Sequence, residues 1–121
     1  MPDDRRFPRS VYGRGSEPDP RFSLANERTF LAWIRTSLAL VAAGVALEAL
    51  PLPVHAVPRI VAAALFVLLG LGAAGQAWLG WLRAETALRE NRALPGPVLA
   101  PVLAVGVAVG TLVLVAGLLV P

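Results

Sequence analysis

The stretch LANERTFLAWIRTSLAL, residues 24–40, decides how this chain is read. It reads as one helix that begins polar, at Asn26, Glu27 and Arg28, and turns apolar from Phe30 onward. Arg35 then interrupts the apolar part. Alternating steps of four and three residues from Arg28 reach Ala32, Arg35, Ala39, Ala42, Ala46 and Ala49. One face therefore carries two arginines and, beyond them, only alanines. The flanking faces carry Phe30, Leu31, Ile34, Leu38, Leu40, Val41 and Leu47. Large side chains suit lipid, whereas an alanine stripe suits the close approach of another helix.

Working outward, Asp19-Pro20 reads as a helix start. Asp caps well, and proline fits the first helical position because its missing N–H would be unpaired there. The first span is then about 30–50, preceded by amphipathic turns over 21–29 at the membrane surface. The prolines of PLPVHAVP, residues 51–58, close it. A second span covers about 60–82, and RAETALRENR, residues 83–92, continues that helix into water. Pro95-Gly96-Pro97 makes the next turn, and the third span is about 98–120. Spans of about 21–23 residues reach about 32–35 Å, enough for a hydrocarbon core of about 30 Å. The predicted fold is an all-α integral membrane protein: three transmembrane helices, with a short amphipathic N-terminal extension of the first. Residues 1–18 are rich in Pro, Gly, Arg and Asp without hydrophobic period and read as a disordered cytoplasmic tail. Residues 19–121 form the three-helix domain. The apolar part starts too late, and is too interrupted, for a signal peptide.

Composition agrees. Of 121 residues, 56% are hydrophobic, above the globular share of about 45–50%. The absence of cysteine excludes disulfides, thiolate metal sites and cysteine nucleophiles. His55 is the one histidine, in a proline-rich connection, and reads as solvated. No paired carboxylates, metal ligands or nucleophile–base pair stand at helical spacing, so no enzyme and no cofactor is expected. Arginine sets the orientation. Arg5, Arg6, Arg9, Arg14, Arg21 and Arg28 precede the first span, and Arg83, Arg89 and Arg92 follow the second. Arg59 alone stands in the first connection. The positive-inside rule places the N-terminus and second connection in the cytoplasm, and the C-terminus outside.

Two readings of Arg35 follow. In one it snorkels, its stem in the membrane and its head among cytoplasmic headgroups. In the other it pairs inside the bundle and faces a partner or a polar cavity, with Glu27, Glu85 and Gln76 available on that side, because an unpaired ionic group in lipid is costly. Small residues also recur on the second helix (Gly70, Ala73, Ala77, Gly80, Ala84) and the third (Gly106, Gly110, Gly117), which argues for a tight bundle. Trp33, Trp78 and Trp81 read as an interfacial belt, Gln76 as interhelical glue, and Glu48 as facing water at the outer boundary.

The run Leu24-Ala25-Asn26-Glu27-Arg28-Thr29-Phe30-Leu31-Ala32-Trp33, followed by Arg35-Thr36, resembles the signature of the YidH-like family, domain of unknown function 202. WLRAETALRENRALPGP, residues 81–97, resembles that family's second connection. The resemblance covers about residue 19 to the end and implies a small three-helix inner-membrane protein. The domain is also similar to the membrane part of the eukaryotic vacuolar transporter chaperone, a polyphosphate polymerase complex, where it forms an oligomer with a basic passage. That likeness implies Arg28, Arg35 and Arg83 as anion-contacting residues. The polymerase and phosphate-sensing domains have no counterpart here, so only the membrane scaffold carries over.

The reading is therefore an oligomeric scaffold or regulatory subunit with a cytoplasm-facing basic site built from Asn26, Glu27, Arg28, Arg35 and Arg83. Its alternative is an oligomeric anion conduit, since rings of arginine favour anions. Expected partners are the lipid bilayer, further copies of the chain, and a phosphate-rich anion or anionic lipid headgroups; nucleic acid is not among them.

Overall fold

A computed structural model describes residues 5–121. It contains a short α1 (Arg9–Tyr12) and three long helices: α2 (Pro20–Ala49), α3 (Ala56–Arg89) and α4 (Ala100–Leu119). The described residues form no strand. The three long helices are each long and apolar enough to cross a membrane, so the protein is an all-α membrane protein.

α2 starts where the sequence places it. Asp19 is the cap, its Oδ1 accepts the Arg21 backbone N–H at 2.9 Å, and Pro20 takes the first helical position. The helix is continuous from there to Ala49, so the amphipathic turns and the first span are one element. α3 runs past its apolar part to Arg89 and ends in a Schellman turn. Asn91 adopts φ 54°, and the Arg92 N–H donates to the Ala87 carbonyl at 2.8 Å.

The helices pack in the order α2–α3–α4, with α3 in the middle; α2 and α4 do not pack closely on each other. The α2/α3 contact is a close backbone crossing. A Cβ on Gly44 would stand 2.8 Å from the Ala63 carbonyl oxygen, and one on Gly70 2.9 Å from that of Ser37. Ser37 Oγ donates to the Gly70 carbonyl at 2.6 Å across the same gap, which leaves no room for larger residues. α4 meets α3 through its own small residues. Leu69 sits over Gly106 and the Phe66 ring over Gly110, so the G-x-x-x-G spacing receives α3 within the chain. Phe66, Leu69 and Ala62 form the apolar centre.

Two expectations need correction. Ala32, Ala39, Ala42 and Ala49 are exposed, so the alanine stripe of α2 is not the face that packs within the protomer. That face is Asn26, Ser37 and Gly44, all buried. Glycine and serine allow a closer backbone approach than alanine, and α3 follows them. Residues 5–18 do not form a free tail, whereas residues 1–4 of that segment lie outside the described residues. The segment turns back across the end of α3 and buries Val11. Low hydrophobicity predicts disorder only where no buried polar partner exists, and Arg89 is such a partner. Glu48 is exposed, as expected, and its Oε1 also lies 3.5 Å from Arg59 Nε, which ties the far ends of α2 and α3.

Candidate functional site

The charged side chains gather at the end of the molecule that holds the start of α2 and the end of α3. Glu85 and Arg89 stand one turn apart on α3, continuing the buried stripe of Ala73 and Ala77, and are only 3% and 6% exposed. Burial of such groups requires hydrogen-bonded partners. Glu85 accepts from the Ser23 hydroxyl at 2.7 Å and from the Asn26 amide at 3.1 Å; the same amide reaches the Trp81 carbonyl at 3.2 Å. Asn26 is thus a bolt between α2 and α3, not a free ligand-binding group.

Arg89 holds the N-terminal segment. Its guanidinium donates to the Arg14 carbonyl at 2.8 Å, the Tyr12 carbonyl at 3.1 Å and Glu17 Oε1 at 2.8 Å. Its own carbonyl accepts the Ser16 N–H at 2.9 Å. Gly15, at φ +55°, lies against that carbonyl so closely that any Cβ would collide with it. Arg6 grips Glu17 through both carboxylate oxygens, at 2.8 and 3.1 Å. The Arg6 hydrogen bonds, and then those of Arg89, hold the Glu17 carboxyl down to about 2. Burial, and next the Glu85 carboxylate, push the Tyr12 hydroxyl above its ordinary value.

An aromatic row covers this network. Phe7 stacks on Trp78, Trp78 on Trp81, and Tyr12 tilts against Trp81, with centroids 6.3, 5.7 and 6.2 Å apart. Arg6 lies over the Tyr12 ring at 4.3 Å. Trp78 and Trp81 therefore support the N-terminal segment in addition to any interfacial role. Trp33 lies elsewhere, in a cleft with Asn26, Gln76 and Arg83; Gln76 makes no hydrogen bond among the described residues.

The predicted site residues do not all converge within one protomer: Asn26 and Arg83 line one cleft, whereas Glu27, Arg28 and Arg35 stand elsewhere around α2. Asn26 is internal. Glu27 opens into a cleft walled by Tyr12, Phe30, Trp78 and Trp81 and makes no ion pair with any arginine. Arg28 and Arg35 are exposed on the side of α2 about 160–180° from its packed face. The bundle pairing expected of Arg35 is absent among the described residues, because Arg35 stands on the side of α2 turned away from α3. Arg83, which lines the Trp33 cleft together with Asn26, also lines a groove with Ser10, Arg14, Thr86 and Arg92. Among the described residues Arg28, Arg35 and Arg83 form no hydrogen bond or ion pair. Sequence reasoning placed Arg14, Arg89 and Arg92 in no site, and named Glu85 only as an available bundle partner for Arg35. Glu85 and Arg89 were findable, since they lie at four-residue steps from Ala77 on the same stripe.

Comparison with known proteins matches this arrangement to one family. A family described as "Domain of unknown function (DUF202)" matches residues 21–87, the segment that contains the α2/α3 crossing and the Ser23–Asn26–Glu85 network. "Inner membrane protein YidH" of Escherichia coli is 47% identical over 82 residues, covering 67% of this chain and 71% of that protein. "Uncharacterized protein Rv2272" of Mycobacterium tuberculosis is 44% identical over 94 residues, covering 77% of each. No solved structure matches.

Proposed function

This chain belongs to the DUF202 family, and on that premise we propose that it is a non-catalytic, homo-oligomeric scaffold of the inner membrane with a cytoplasm-facing basic site. The relative's printed name supports the membrane. The arginine distribution supports the orientation, with N-terminus inside and C-terminus outside. The observation that carries the reading is the outer face of α2. Arg28 and Arg35 stand there without a partner among the described residues, in a stripe of exposed alanines that lets another backbone approach. A charge left in lipid is costly, so a face of this kind calls for a partner from outside the protomer. Arg83, with Arg14 and Arg92 around its groove, supplies further cations at the same end. Phosphate-rich anions or anionic headgroups fit that set, because guanidinium forks match phosphate oxygens.

The conduit is the second reading. Because α2 and α4 lie on either side of α3, a hydrated path would need walls from several copies. Both readings are tested on Arg35. Wild type, Arg35→Lys and Arg35→Gln are purified in lipid and compared for assembly and for polyphosphate binding at two salt concentrations. Lysine should weaken binding because it lacks the fork, and glutamine should weaken it further. If both variants assemble and bind like wild type, Arg35 is a snorkelling anchor and the basic-site reading falls.

A further inference from the structure

Every described carboxylate but one has a partner. Glu17 meets Arg6 and Arg89, Asp19 meets Arg21, and Glu48 meets Arg59. Glu85 meets Ser23 and Asn26, and Glu90 meets Arg92. Glu27 alone, among the described residues, has no hydrogen bond or ion pair. It is exposed in the cleft walled by Tyr12, Phe30, Trp78 and Trp81. A carboxylate among aromatic faces is a receptor for an organic cation. The charge attracts it, the ring faces add cation–π attraction, and a planar guanidinium can stack on an indole while forking onto the carboxylate.

The chain carries a matching cation on the other flank of the same helix. Arg28 follows Glu27 directly, points about 100° away around α2, and is also without a partner among the described residues. Copies that share one orientation in a membrane are related by rotation about the membrane normal, and such a rotation leaves depth unchanged. Arg28 of one copy therefore lies within about 1.5 Å of the height of Glu27 in the next. The small residues beyond Arg28 allow the helix that carries it to come close.

We propose that Glu27 and its aromatic cleft receive Arg28 of a neighbouring copy, forming the clasp of a head-to-tail homo-oligomer. The clasp rests on the homo-oligomeric reading above and deepens it. Because donor and acceptor surfaces differ, the contact is heterologous and closes into a ring. It leaves Arg35 and Arg83 as the cations available to an anionic ligand.

Charge exchange between two variants tests the clasp. Glu27→Arg and Arg28→Glu are each expected to lose the oligomer in lipid nanodiscs while keeping wild-type helicity, since both side chains are exposed. Each variant keeps the half that the other lacks. Co-expressing differently tagged versions should therefore restore assembly, and pulling on one tag should recover the other. Restoration separates a direct pair from two unrelated losses. If both single variants assemble like wild type, the clasp is wrong while the oligomer stands, and the cleft is left to an ammonium headgroup. If both lose assembly and the mixture does not recover it, the direct pair is excluded. If wild type itself is monomeric in lipid, the homo-oligomeric reading falls and the clasp with it.

Discussion

Arg89 shows how one buried side chain can organise a segment that composition alone would leave unstructured. Its guanidinium and carbonyl together hold Tyr12, Arg14, Ser16 and Glu17, with Gly15 chosen by the closeness of the backbone. Glu17 gives this contact a pH dependence whose sign is fixed. Its folded-state value, about 2, lies below the ordinary 4.5. The stabilisation is therefore complete above about pH 4.5 and is lost as pH falls from there toward about 2. Hydrogen exchange at the Ser16 amide, corrected for the intrinsic rate, should accelerate through that window. Glu17→Gln should already exchange fast at neutral pH and lose the acid step. Equal protection in both proteins across the window would show that Glu17 does not hold the segment.

α2 has two faces with opposite tasks. The side of Asn26, Ser37 and Gly44 meets α3, whereas the side of Arg28, Ala39 and Ala42 is exposed among the described residues. Substitutions on the two sides should therefore fail in different assays. A side chain at Gly70 would strike Val41 Cγ2, which lies only 2.6 Å from its Cβ, and also the Ser37 carbonyl. Gly70→Leu should cost about 1–3 kcal/mol through overpacking and lower the thermal midpoint in detergent. Ala42→Leu should leave that midpoint in place and reduce assembly, as seen by native mass spectrometry from lipid. Leu38→Phe should change neither, because Leu38 is 66% exposed and flanks the stripe. A fall in thermal midpoint for Ala42→Leu equal to that for Gly70→Leu would place both residues in one interface.

At the scale of the molecule, polarity separates the two ends. The Arg89 network, the aromatic row and the Arg14–Arg83–Arg92 groove share one end. The other holds the Glu48–Arg59 pair and a His55 N–H bond to the Gly117 carbonyl at 3.1 Å, which ties the first connection to α4. The arginine-rich end should be cytoplasmic. A reporter that works only outside the cytoplasm should be active when fused after Pro121, and a cytoplasm-only reporter should be silent there. The reverse pattern would invert the orientation and move the basic site outside.

The sequence by itself determined the class, the start of α2 and the small-residue contacts of α3 and α4. Apolar length, the Asp19-Pro20 pair and the Gly106/Gly110 spacing are local signals whose physical effect does not depend on distant residues. Which face of α2 turned inward was not local. Two stripes, one of alanines and one through Ser37 and Gly44, both permit close packing, and only the fit against Ala63, Val67 and Gly70 chose between them. The same choice turned Arg28 and Arg35 outward and Asn26 inward, separating residues that adjacent numbers had grouped. The order of residues 5–18 was likewise decided by tertiary structure. Arg14 and Glu17 are polar residues in a polar stretch until α3 brings a buried guanidinium to them, and burial makes that hydrogen bonding obligatory.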